Sequence, residues 1–287
     1  MIELALSILC SSIIFVIFKL FTRFKVQTLY AIIINYITAC TVGIIVYQPD
    51  ITISEIPFKK WFLGAILLGV LFIFIFNLMA RTSQLLGVSV ASVATKMSLT
   101  IPVLLGVFLY NEELGALKIV GVVMALAAVY FASVKNTTGR FSKKALYLPM
   151  LVFIGSGVID ASLQYAEQYL VSKEESPLFS ATIFACAALC GLCFVFLKSF
   201  KQGIRVSPNS IIGGIALGVP NYFSIFFLLG ALQNNALNSA SVFTINNVAI
   251  VMLSTLLGII LFKEELSVKN WVGIALAVLS IVLVAIY

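Results

Sequence analysis

The chain has 287 residues and not one histidine. Histidine is the side chain that most readily switches charge near neutral pH and the commonest metal ligand. Its absence weakens every reading that needs a general base or a metal centre. Charge is scarce too. Only 10% of residues are charged, against about 25% in soluble domains, which leaves no room for a separate soluble domain. No G-x-x-x-x-G-K-[ST] loop occurs, so ATP coupling is not indicated. The strand alternation of an outer-membrane barrel is missing. The N-terminus lacks a basic n-region and an A-x-A site, so the first apolar run reads as a retained helix. An integral-membrane lipid-modifying enzyme would need clustered His, Asp or Glu near the interface, and that cluster is absent.

What remains is apolar. Hydrophobic residues make up 62% of the chain and the mean hydropathy is +1.14. Runs of roughly 20 apolar residues recur, each long enough to cross a hydrocarbon core of about 30 Å. Charges, prolines and turn residues divide the chain into ten spans, near 2–20, 27–47, 61–82, 87–110, 115–134, 145–170, 177–198, 209–232, 238–262 and 267–286. The fold expected is an all-α integral membrane protein.

Two stretches echo each other. YNEELGALKIVG (110–121) and FKEELSVKNWVG (262–273) align Glu112 with Glu264, Glu113 with Glu265 and Gly121 with Gly273, at a constant spacing of 152 positions. Ser89-Val90 and Ser241-Val242 keep that spacing, as do Leu104-Leu105-Gly106 and Leu256-Leu257-Gly258. The chain therefore divides into a five-span unit over 1–134, a polar linker over 135–144 and a second unit over 145–287. Five is odd, so the second unit enters the membrane from the opposite side, giving two inverted five-helix repeats. Each Glu-Glu pair closes a fourth span and precedes a fifth. Helix-end carboxylates there favour the N-terminal end of the following helix through its dipole.

With these motifs the chain resembles the EamA-like family of the drug/metabolite transporter superfamily. The resemblance implies a secondary transporter with a central cavity between the halves, lined by the first, third, fourth, sixth, eighth and ninth helices. It also implies small-molecule substrates, among them amino acids, other metabolites and drugs.

The net charge of +7 does not point to nucleic acid, because the basic residues flank apolar spans as topology signals. One face collects Lys19, Arg23, Lys25, Arg81, Lys135, Arg140, Lys143, Lys144, Lys198, Lys201, Arg205, Lys263 and Lys269; the other has only Lys59, Lys60, Lys118 and Lys173. The charge asymmetry puts the richer face in the cytoplasm and both termini outside. The family resemblance implies termini inside. A bacterial inner membrane suits the compact loops.

Charges inside a span cost at least about 2.5–3.5 kcal/mol unless they face a cavity or a partner. Lys96 lies in the middle of the fourth span, on a face with Ser89, Ser92 and Thr100, and Pro102 nearby removes a helix hydrogen bond. It reads as a contact for a substrate carboxylate or phosphate, as a structural ion pair, or as a lysine snorkelling to the interface. Asp160, in the sixth span, shares a polar stripe with Ser156, Gln164 and Glu167, and reads as a contact for a substrate amine or a proton carrier. Asn246 and Asn247 in the ninth span match the depth of Ala94 and Thr95, and suit hydrogen bonds to substrate or between helices. Asn77 with Arg81, and Asn221, Tyr222 and Ser224 after Pro220, are weaker candidates; Asn35 and Tyr36 are weaker still. Gly155 and Gly157, and Gly214-x-x-x-Gly218, read as close helix packing. Cys186, Cys190 and Cys193 share one helical face and read as packing residues.

The expectation is a transporter of a small polar metabolite, such as an amino acid, clasped between Lys96 and Asp160, with coupling either to protons through Asp160 or absent. The alternatives are an exporter of cationic or amphipathic drugs, the lipid-modifying enzyme, and a membrane scaffold without transport. No cofactor and no metal are expected; the expected state is monomer or homodimer.

Overall fold

The computed structural model describes residues 2–47, 53–102, 104–105, 116–133, 143–172, 175–199, 206–233 and 239–286. Among them the chain is helical, in ten helices that follow the ten apolar spans. They are α1 (Ile2–Arg23), α2 (Thr28–Tyr47), α3 (Phe62–Leu86), α4 (Val88–Met97), α5 (Ala116–Ser133), α6 (Lys143–Tyr169), α7 (Ser176–Ser199), α8 (Pro208–Gln233), α9 (Ser239–Phe262) and α10 (Val268–Ile286). A short 3-10 turn, Ile53–Phe58, precedes α3. Among the described residues, seven helices are long and apolar enough to cross a membrane by length and composition. Glu112, Glu113 and most of the expected linker lie outside the described residues.

In hydrocarbon every backbone polar group must be satisfied within the chain, which is why these runs fold as helices. The helices then need close contact, because lipid gives them no hydrophobic drive to associate. Gly214 and Gly218 of α8 supply it against α2. A Cβ at Gly218 would stand 2.7 Å from the Asn35 carbonyl oxygen and 2.6 Å from Thr38 Cβ. Aromatic rings fill the space among α1, α2, α3 and α7. Phe18 meets Phe76 edge-on, and Tyr36 stacks on Phe184. Tyr36 is fully buried, and its hydroxyl donates to the Phe72 carbonyl at 2.8 Å. It belongs to the core.

Helix neighbours follow the 152-residue spacing. α1 packs on α8 and α9, and α6 on α3 and α4; α2 packs on α8, and α7 on α3. Single contacts follow it too. Asn221 Nδ2 donates to Asn35 Oδ1 at 3.2 Å, and their counterparts Gly69 and Ala187 touch. Ser280 Oγ donates to the Gly121 carbonyl at 2.7 Å, while their counterparts Ala128 and Gly273 touch in α5 and α10.

The Glu264 carboxylate differs from its expected place. The helix that follows it, α10, is capped by Ser267: the Asn270 amide donates to Ser267 Oγ, and the Ser267 amide donates back to Asn270 Oδ1. Glu264 instead accepts from the Val88 amide at 2.7 Å, at the start of α4 in the other half. The reason is topological. The α3–α4 and α9–α10 connections lie on the same face, and α4 packs against α9.

Candidate functional site

The site is built on a break. α4 ends at Met97, turns through Ser98 and Leu99, and is helical again from Thr100. Pro102 explains the position. It has no N–H to give the Ser98 carbonyl, four residues back, and its ring crowds that carbonyl, at about 3 kcal/mol in a helix interior. Each freed acceptor finds another donor. The Ser98 carbonyl accepts from the Ile101 amide at 2.9 Å. The Thr95 carbonyl accepts from Ser98 Oγ, and the Met97 carbonyl from Thr100 Oγ1. Local hydroxyls thus replace the lost backbone bonds, as a broken membrane helix requires.

Two opposite charges meet at this break. Lys96 sits half-buried in the last turn of α4, where a helix C-terminus favours a cation. Asp160 projects from the middle of α6 and accepts from Ser98 Oγ at 2.9 Å. The two charges are near enough to act on each other. They form no direct ion pair, since Lys59–Glu175 is the salt bridge within 4.0 Å found among the described residues. Lys96 also makes no hydrogen bond there. One turn before Asp160, the buried Ser156 hydroxyl has no partner either. The site therefore holds a cation, an anion and a spare hydroxyl, with hydrogen-bonding capacity left over.

The other expected residues are distributed differently. Thr100 is buried at the break and spends its hydroxyl on the backbone. Gln164, one turn past Asp160, is exposed; the side chain of Glu167 is outside the described residues. Asn246 of α9 accepts from Ser7 Oγ of α1 at 3.3 Å, and Asn247 beside it is buried. Asn77 donates to the Ile73 carbonyl of its own helix at 2.7 Å. Asn221 is engaged with Asn35 in the α2–α8 contact. Tyr222 lines an apolar crevice with Gly43 and Val46 of α2, Phe184 of α7 and Phe226 of α8. The structure thus brings Lys96, Ser98 and Asp160 together at the break that Thr100 also joins, engages Asn221 and Tyr222 with α2, and turns Asn77 onto its own helix. Sequence reasoning missed Ser98. Its signal was its place, a hydroxyl on the residue whose carbonyl Pro102 orphans.

The comparisons with known proteins fit this architecture. Residues 2–134 match the model of the EamA-like transporter family. The chain belongs to the EamA-like transporter family, within the drug/metabolite transporter superfamily. A Haemophilus influenzae protein, described as uncharacterized, is 30% identical over 97% of this chain and 96% of its own length. A solved crystal structure covers 98% of both chains with a TM-score of 0.58 at 18% identity, a likeness of fold. Family membership points to a transporter rather than an enzyme, and the apolar helices make it a multi-pass membrane protein.

Proposed function

We propose that this EamA-like protein is a secondary transporter of a small polar metabolite that carries both a carboxylate and an amine. The observation that carries the reading is Lys96 beside Asp160 at the α4 break, with no ion pair to it among the described residues. A substrate carboxylate would take the ammonium, and a substrate amine the free oxygen of Asp160. Discontinuous helices near the membrane midplane are where secondary transporters place such contacts. The two five-helix halves, inverted with respect to each other, would rock about this point. Asp160 would also serve as the proton carrier if transport is coupled. We place the protein in a bacterial inner membrane, acting as a monomer or homodimer without cofactor, nucleic acid or enzymatic turnover.

A thermal-shift screen of purified protein in detergent tests this reading, with amino acids, organic acids, sugars, nucleotides and cationic drugs as ligands. A ligand that binds only the folded state raises Tm, by about 2.7 kcal/mol of stability at a hundred times its Kd. Zwitterionic amino acids are expected to shift the wild type, and to shift neither Lys96→Ala nor Asp160→Asn. Losing one partner of a desolvated, hydrogen-bonded charge pair costs about 2–5 kcal/mol, so affinity should fall at least 30-fold. A shift by cationic drugs alone, retained in Lys96→Ala, would make the protein a drug exporter with a structural lysine.

A further inference from the structure

The carboxylate of Glu264 occupies a built receptacle that spans the two halves. Lys263 ends α9 in the left-handed conformation, φ 53°. That conformation is strained for a residue other than glycine. It turns Glu264 back beneath its own helix, where its amide donates to the Gly258 carbonyl at 3.3 Å. The carboxylate then points across to the other half. Oε1 accepts from the Val88 amide at 2.7 Å. Oε2 accepts from Ser89 Oγ at 3.1 Å and lies 3.5 Å from the Ser89 amide. Two glycines make the space. Gly87 has φ +119°, open to glycine and rarely to other residues, and a Cβ there would stand 2.8 Å from Oε1. A Cβ at Gly258 would stand 2.6 Å from Oε2. The helix dipole of α4 adds its positive end.

We infer that Glu264 is a latch: it fastens the start of α4 to the end of α9, holds the basic face shut, and must let go once in each transport cycle. The contact joins residues of opposite halves at one membrane face, on the helix that carries Lys96. If the halves rock about the α4 break, a contact at one end of α4 has to part when that end opens. A carboxylate on two backbone amides and a hydroxyl is strong when engaged. It is also easily satisfied by water when released, so it suits a contact made in one state and broken in another. The inference rests on the alternating-access reading above.

The test uses the full chain in detergent with its five cysteines replaced and a single reporter, Ser92→Cys. Ser92 is fully buried, one turn from Lys96 toward the latch. Its reaction with a small thiol reagent reports opening of the basic face. With Glu264 intact, labelling should be slow. Glu264→Gln should speed it about ten-fold or more, the scale of one charge-assisted hydrogen bond. Ser89→Ala, which removes only the hydroxyl donor and serves if Glu264→Gln does not fold, should speed it less. Equal labelling in wild type and variants, with all of them folded, overturns the latch. If labelling is unchanged while ligand shifts persist, the latch falls and the transporter reading stands. If labelling accelerates while no ligand shifts the wild type, the latch stands and the substrate reading falls.

Discussion

α4 and α9 occupy equivalent places in the two halves, yet only one of them is broken. At the spacing of 152, Pro102 corresponds to Ser254, Ser98 to Ile250 and Lys96 to Val248. α9 has an N–H at every one of these positions and runs unbroken through Ser239–Phe262. Ile250 is fully buried. Ser254 turns its hydroxyl onto the Val251 carbonyl at 3.2 Å within the same helix. The polar residues of α9 are all uncharged hydroxyls and amides, and Asn246 is engaged with Ser7. The same frame therefore carries charge and a helix break on one side, and an intact, neutral helix on the other. The difference teaches that two helices at this spacing can both stay packed while a few substitutions, at Lys96, Ser98 and Pro102, set one apart in charge and continuity.

The largest effect expected within this comparison comes from giving α4 the residue of α9. Pro102→Ser restores an N–H for the Ser98 carbonyl and removes the ring clash, worth about 3 kcal/mol to the helix. Tm should rise, while ligand affinity measured by thermal shift should fall at least ten-fold, because Lys96 and Asp160 lose their offset at the break. A variant that gains stability and keeps affinity would show the break to be incidental. The next effect is smaller and lies on the α9 side. Asn246→Ala removes the farther of the two acceptors of Ser7 Oγ, at 3.3 Å, and leaves the Ser224 carbonyl at 2.8 Å. Interhelical hydrogen bonds in membranes are worth about 0.6–2 kcal/mol, so Tm should drop by a few degrees and ligand affinity by less than ten-fold. A drop in affinity as deep as that of Lys96→Ala would place substrate on both helices and erase the contrast.

Much of this was legible in the residues. Ten spans follow from hydropathy, and the ten helices coincide with them because a membrane permits little besides helices. Lys96 and Asp160 stand out because charge in hydrocarbon is costly. The partners of individual polar groups were not legible. Asn221 and Asn77 look like Asn246 in sequence, yet one meets Asn35 across α2 and the other its own helix. The partner depends on helix rotation, which an apolar run with no amphipathic stripe does not encode. Glu264 shows the same limit. Its role at a helix N-terminus was readable, but which helix it serves is a matter of tertiary packing.

The smallest effect compares the two membrane faces. On the basic face, the turn after α1 meets the start of α8 through neutral groups: the Gln27 amide donates to Ser210 Oγ at 3.0 Å, and Asn209 Nδ2 to the Phe24 carbonyl at 3.0 Å. On the opposite face, the segment before α3 meets the segment before α7 through charge. Lys59 Nζ and Trp61 Nε1 donate to the two oxygens of Glu175 at 2.7 and 3.0 Å. The bond from Lys59, then that from Trp61, holds the Glu175 carboxyl below its ordinary 4.5, and the same bond to Glu175 raises Lys59 above 10.5. The signs give a window. The contribution of Glu175 is complete above its ordinary value and is lost as pH falls through the lower folded one. That of Lys59 is complete below its ordinary value and is lost as pH rises through the higher folded one. The Tm difference between wild type and Glu175→Gln should then be flat between about pH 5 and 10 and shrink beyond either end. It should be small throughout, since both groups are solvent-accessible and salt screens them. Ser210→Ala on the basic face should give a Tm difference that does not vary with pH at all. Matching pH profiles for the two variants would mean that the charged joint contributes nothing of its own.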